Sequence, residues 1–124
     1  MAICLGTATP MRIPILLLAL LINQAACAEE RAATGLGAGS CAVFAEIYRE
    51  NTLVAENSYG AWADGFMAGL NAQLALNKQP MRNLAAHTYD RRNQMLRQGC
   101  DRRPLALFMQ IVLDYFRSLP TTAP

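Results

Sequence analysis

The side chains able to do covalent or proton-transfer chemistry are four cysteines (Cys4, Cys27, Cys41, Cys100), one histidine (His87) and scattered carboxylates. Cys100 with His87 as its base would be a nucleophilic pair, but that needs a free thiolate. Asp64 and Asp90 fall on different segments, and nothing in their spacing unites two carboxylates as an acid/base pair. Zinc normally takes four ligands, and no histidine or further cysteine stands at ligand spacing from Cys41 or Cys100. A phosphate-cradling glycine loop and a serine elbow are missing too. The expectation is a protein without catalysis, metal or cofactor. His87 is the one histidine, the side-chain type suited to a pH switch, but a lone loop histidine is more commonly just solvated.

The arginines are more distinctive. Arg91, Arg92, Arg97, Arg102 and Arg103 form a basic series suited to an anion. Nucleic acid is a poor fit, because the aromatic side chains that would stack on bases are missing apart from Tyr89. A solvated face or an internal counter-charge is the plainer reading. Residues 29–77 hold six acids (Glu29, Glu30, Glu46, Glu50, Glu56, Asp64) against Arg31 and Arg49. Residues 78–103 reverse the balance, with seven bases (Lys78, Arg82 and the five above) against Asp90 and Asp101. Such a split suits an anionic partner, or two halves that attract within the fold or across a dimer.

The N-terminus places this chemistry in a compartment. Arg12 precedes the apolar run Ile13–Ile22, and Ala26-Cys27-Ala28 offers small residues for cleavage ahead of Glu29. The run is about half the roughly 20 residues a membrane span needs. Residues 1–28 therefore read as a signal peptide, with acylation of Cys27 as the alternative. The expected location is the periplasm, with no membrane attachment after cleavage. Cys4 and Cys27 leave with the leader. Cys41 and Cys100 stay, and an even pair in an exported small domain reads as a disulfide. Closing so long a loop constrains the unfolded chain by about 4 kcal/mol in the entropic model.

The elements that position these groups are helical. Residues 29–39 are small and glycine-rich, the pattern of a flexible leader. Ser40 caps a first helix that buries Cys41, Phe44, Ile47 and Tyr48. Thr52–Glu56 reads as a connection, with Asn57 or Ser58 capping the next helix. That helix, Tyr59–Asn77, is apolar nearly all round, which suits the middle of a bundle. Tyr59, Trp62, Phe66, Leu70 and Leu74 make its stripe. Gly60, Gly65 and Gly69 cost about 1 kcal/mol each against alanine, so the Gly65/Gly69 notch is expected to receive a neighbouring helix backbone or a large side chain. Asp64 and Asn71 are left for solvent.

Pro80 ends that helix, and 81–87 is one turn or an ordered loop. Thr88 caps a third helix through Cys100, with Tyr89, Leu96 and Cys100 inward. Pro104 suits the first turn of a last helix. Its stripe is Leu105, Phe108, Met109, Val112, Leu113, Phe116 and Leu119. Residues 121–124 read as a frayed tail. The fold class is all-α, a small four-helix bundle-like domain over 40–120, stapled by one disulfide.

Cys41-x-x-Phe44, Trp62-x-x-Gly65-x-x-x-Gly69 and Cys100-x-x-x-Pro104 with an apolar final helix resemble the HdeA/HdeB family of periplasmic acid-stress chaperones. The resemblance spans about residues 40–119. It implies a helical fold with one disulfide joining the helices that carry Cys41 and Cys100. It also implies a neutral-pH dimer whose apolar interface opens in acid to hold unfolding clients. Tyr59, Trp62, Gly65, Phe66, Gly69 and Leu70 are then the client or dimer surface. The arginine-rich 78–103 segment and the long apolar central helix depart from the family pattern. Two alternatives stand beside it. The immunity proteins of type VI secretion effectors are also small, exported, helical and singly disulfide-bonded. In that reading the Arg91–Arg103 face docks on a cognate effector. The other alternative is an accessory subunit of an envelope complex.

Overall fold

The computed structural model describes residues 34–122; the readings on the signal peptide, on 29–33 and on 123–124 lie outside them. Four helices make up this part: α1 (Cys41–Glu50), α2 (Thr52–Leu76), α3 (Tyr89–Arg102) and α4 (Phe108–Ser118). Among the described residues there is no strand. None of their helices is long and apolar enough to cross a membrane. A disulfide joins Cys41 at the start of α1 to Cys100 near the end of α3, with the Cα atoms 4.9 Å apart.

The helix starts follow local chemistry. The Ser40 hydroxyl accepts from the Val43 amide, and the Thr88 hydroxyl from the Arg91 amide, as their types and positions foretell. Asn51 does double duty. Its amide donates to Ile47 to close α1, and its side chain accepts from Val54 at 3.1 Å to open α2. Thr52–Glu56 is thereby the first turn of α2 rather than a connection. Ala55 and Tyr59, one turn apart, both face the core.

At its other end α2 closes with the two bonds of a Schellman turn. The Gln79 amide donates to Leu74 and the Lys78 amide to Ala75, with Lys78 at φ 55° where glycine is usual.

The last helix begins later than Pro104. Residues 104–107 instead run beside 39–42. Amides of Cys41 and Ala42 donate to Ala106 and Pro104, and Phe108 donates to Gly39. These bonds satisfy first-turn amides of α1 that have no partner inside their helix. Leu105, expected in the core stripe, is consequently 90% exposed. The remainder of that stripe holds, with Phe108, Val112, Phe116 and Leu119 buried and Met109 and Leu113 partly so.

The core is aromatic at its centre. Phe44, Tyr59 and Phe108 meet with ring centroids 4.8–5.2 Å apart, and Met67, Leu96, Ile111 and Tyr115 surround them. Two segments expected to be loose are built in. Gly35–Ala38 forms a 3₁₀ turn, correcting the flexible leader over 35–39. Its Gly37 lies against the Trp62 ring so closely that a Cβ there would sit 1.9 Å from it. Thr121 and Thr122 pair with Arg82 and Met81, so the tail is held through 122.

The glycine notch differs most from expectation. A Cβ at Gly65 or Gly69 would meet nothing within 4 Å, and both residues are exposed. The close approaches are elsewhere. At Gly60 a Cβ would stand 3.1 Å from the Arg92 guanidinium, and at Gly99 it would stand 2.5 Å from Ile111. Nor is α2 central, because one side of it, including Ala61, Ala68, Ala72 and Leu76, faces outward.

Candidate functional site

The residues expected to form one client or dimer surface are divided by α2 among three environments. Tyr59 is a core residue at 3% exposure. Trp62 and Phe66 stack in parallel, centroids 5.0 Å apart, and with Leu70 and Leu74 make a half-buried apolar strip against α4. The glycine-rich turn 35–39 covers the Trp62 end of that strip. Gly65 and Gly69 lie outside it on the open side.

The basic series is likewise dispersed. Arg92 turns inward, its side chain 11% exposed, and forms an ion pair with Asp64 of α2. Its guanidinium also stands over the Tyr89 ring at 4.7 Å, and this stack keeps Tyr89 at the surface rather than on the inner edge. Arg97 lies 4.4 Å over the Tyr48 ring and reaches Asp101 one turn on. Arg103 pairs with Asp114 of α4. Among the described residues, the Arg91 guanidinium hydrogen-bonds only to Gln94. Among the described residues, Arg91 and Arg102 have no carboxylate partner. The five therefore do not form one face: one is structural, two are partly neutralised, and two are open.

The pair of Arg92 and Asp64 is the principal electrostatic feature of the interior. It ties α3 to α2 beside Gly60, whose missing side chain admits the guanidinium. Asp64 was expected to be a solvated residue. Its carboxylate is half exposed, yet it neutralises a buried cation. Behind it, the Tyr115 hydroxyl lies 3.1 Å from His87 Nδ1. The only histidine is thus half-buried against α4 rather than free in a loop. Burial raises the phenol pKa of Tyr115, partly offset by Arg92. Burial also raises that of Tyr59. Tyr48 is raised chiefly by donating to the Glu56 carboxylate at 2.7 Å, with Arg97 opposing.

Among the described residues, no three His, Cys, Asp or Glu side chains gather as metal ligands. The Sγ atoms of Cys41 and Cys100 are bonded to each other, so neither is a nucleophile.

Asn71, expected on the solvent face, is instead half-buried and bonded to Arg82, itself expected only as one of the bases. The Asn71 amide group accepts from the Arg82 amide and donates to its carbonyl, both at 2.8 Å. The Arg82 guanidinium donates to the Leu119 carbonyl at 2.9 Å. Together they fasten the loop after α2 to the end of α4. The available signal was an asparagine within an apolar run, a residue type that enters such a run at a cost unless it is hydrogen-bonded.

Comparison with protein-family models, with curated proteins and with solved structures finds no match to the chain. The family expectation rests on the motifs within residues 40–119.

Proposed function

We propose that this chain is a small exported protein, resident in the periplasm, that acts by binding proteins rather than by catalysis. In the folded state it keeps an apolar strip covered, and in acid it offers that strip to unfolding clients, as the HdeA-like resemblance implies. The observation that supports this is the cover itself. Trp62, the only tryptophan of the chain, is half covered by a turn whose contact at that point is a glycine. The turn's own side-chain packing comes chiefly from Leu36, partly buried against the core, so a modest electrostatic change suffices to lift it.

Acid supplies that change. Carboxylates lose their charge at pH well below about 4, while arginine stays charged. Arg92 would then be a buried cation whose counter-charge, Asp64, is gone, and an uncompensated buried charge is strongly destabilising. The cross-link between Cys41 and Cys100 is covalent and unaffected by protons. It keeps α1 and α3 together while α2 and the 35–39 turn loosen. A neutral-pH homodimer that separates in acid belongs to the same reading.

The test follows Trp62 fluorescence, hydrodynamic size and suppression of client aggregation between pH 7 and pH 2. Opening on acidification is expected, with the Trp62 emission shifting to the red. In Asp64→Asn the partner is neutral at every pH, so opening should move to higher pH. A protein that at pH 2 keeps its neutral-pH emission and leaves aggregation unchecked would remove the proposal.

A second reading, a cognate inhibitor or immunity protein, draws support from the exposed Arg91 and Arg102. Their charge is available to an acidic protein at neutral pH. Recovery of one tight partner at pH 7 would favour it. Broad client binding confined to acid would favour the chaperone.

A further inference from the structure

At its Leu70/Leu74 end the strip borders an open groove of about 510 Å³ between the last turns of α2, the loop after it and the end of α4. Leu70, Leu74, Leu113 and Phe116 are its apolar lining, and Arg82 and Arg117 are its charged residues. This is within the size range of sites that take apolar side chains or small ligands. No carboxylate is among its lining residues. The positive charge at its edge is incompletely balanced. Asp114 lies 3.6 Å from Arg117 but also pairs with Arg103, so one carboxylate serves two guanidiniums. Arg82 spends one nitrogen on the neutral Leu119 carbonyl and has no carboxylate partner among the described residues.

The walls are fixed rather than collapsible. The two bonds between Asn71 and Arg82 hold one side. Amide bonds from Asn83 to Pro120 and from Thr122 to Met81, both 2.8 Å, hold the other. A groove kept open in the folded state lowers the ordering cost of binding. The two guanidiniums stand at the edge of this apolar lining, a pattern that suits a segment carrying carboxylates beside its apolar side chains.

We infer that this groove docks an acidic amphipathic segment of a partner protein. Large apolar side chains of the segment enter over Leu70, Leu74, Leu113 and Phe116, and its Asp or Glu residues meet Arg82 and Arg117. This is the helix-in-groove mode of recognition with a charge requirement added. It operates at neutral pH, where those carboxylates are ionised. It shares Leu70 and Leu74 with the strip of the proposed function, but it is read at pH 7, so failure of peptide binding at pH 7 and failure of client holding in acid are separate outcomes.

The experiment uses the protein expressed with its own leader and purified as it accumulates. It is titrated at pH 7 with three probes. They are a helical peptide with leucines on one face flanked by glutamates, the same peptide with lysines for glutamates, and dodecanoate. Leucine methyl resonances and calorimetry are the readouts. The glutamate peptide is expected to bind and shift Leu70, Leu74 and Leu113. Added salt should weaken it, and Arg117→Glu should weaken it about tenfold, the reversal of one exposed charge pair. Arg117→Lys should restore it. Arg117 is exposed, and an unchanged circular dichroism spectrum checks that the variant folds. Equal binding of the lysine peptide overturns the charge requirement. Dodecanoate shifting these methyls while the peptide does not overturns the protein partner. Silence from both peptides overturns the site.

Discussion

The two halves of α2 have opposite fates, the more polar first half being the more deeply committed to the core. From Thr52 to Asp64 nearly every turn is committed: Ala55, Tyr59, Gly60 and Ala63 are buried, and Asp64 holds Arg92. From Gly65 to Leu76 the buried residue is Met67, the glycines are open, and the helix is fastened chiefly through Asn71. The first half is where the fold is made, and the second is where it presents a groove and a bare backbone. A glycine in a helix is therefore not one signal. At Gly60 it admits a guanidinium. At Gly65 and Gly69 the same residue type leaves surface uncovered.

The strongest way to break this division is to remove the staple behind the first half. Replacing Cys41 and Cys100 together by serine should lower stability by about 4 kcal/mol for a separation of 59 residues. Urea unfolding with and without reductant measures it. A loss well under 1 kcal/mol would mean that packing around Gly60 suffices on its own.

The sharpest test is the glycine series. Gly60→Ala should destabilise by about 1–2 kcal/mol, because its Cβ forces Arg92 away from Asp64. Gly65→Ala and Gly69→Ala should each stabilise by about 0.5–1 kcal/mol, since they improve helix propensity and meet no neighbour. Unfolding midpoints give the three signs. If all three agree, the halves do not differ as described.

The smallest effect is in alkali. Tyr59 and Tyr115, raised by burial, and Tyr48, raised by Glu56, hold their protons more tightly folded than unfolded. Their stabilisation is complete below pH about 10 and is lost as the pH rises through the folded-state values. Stability measured from pH 8 to 11 should fall at the top of that window. Tyr48→Phe should lessen the fall, because this phenol can no longer ionise in the unfolded chain. An unchanged slope would argue that the bond between Tyr48 and Glu56 is not kept in solution.

What the sequence alone determined was whatever depends on local chemistry or on one strongly sided helix. Ser40 and Thr88 cap helices because a hydroxyl there reaches the first free amides. Cys41 and Cys100 are legible as a pair because an even pair of cysteines in a small domain reads as a disulfide, and the two are bonded. The Phe108–Leu119 stripe is buried because its apolar residues occupy one side of the wheel. The tertiary structure decided what α2 does. A helix apolar nearly all round has no preferred side of its own, so the choice passes to its neighbours. The α3 cation found room at Gly60, the 35–39 turn found Trp62, and the residues that nothing reached became the open face. Arg92 shows the same limit. Its spacing in a basic series predicts a charged surface, and only the position of Asp64 across the interface turned it inward.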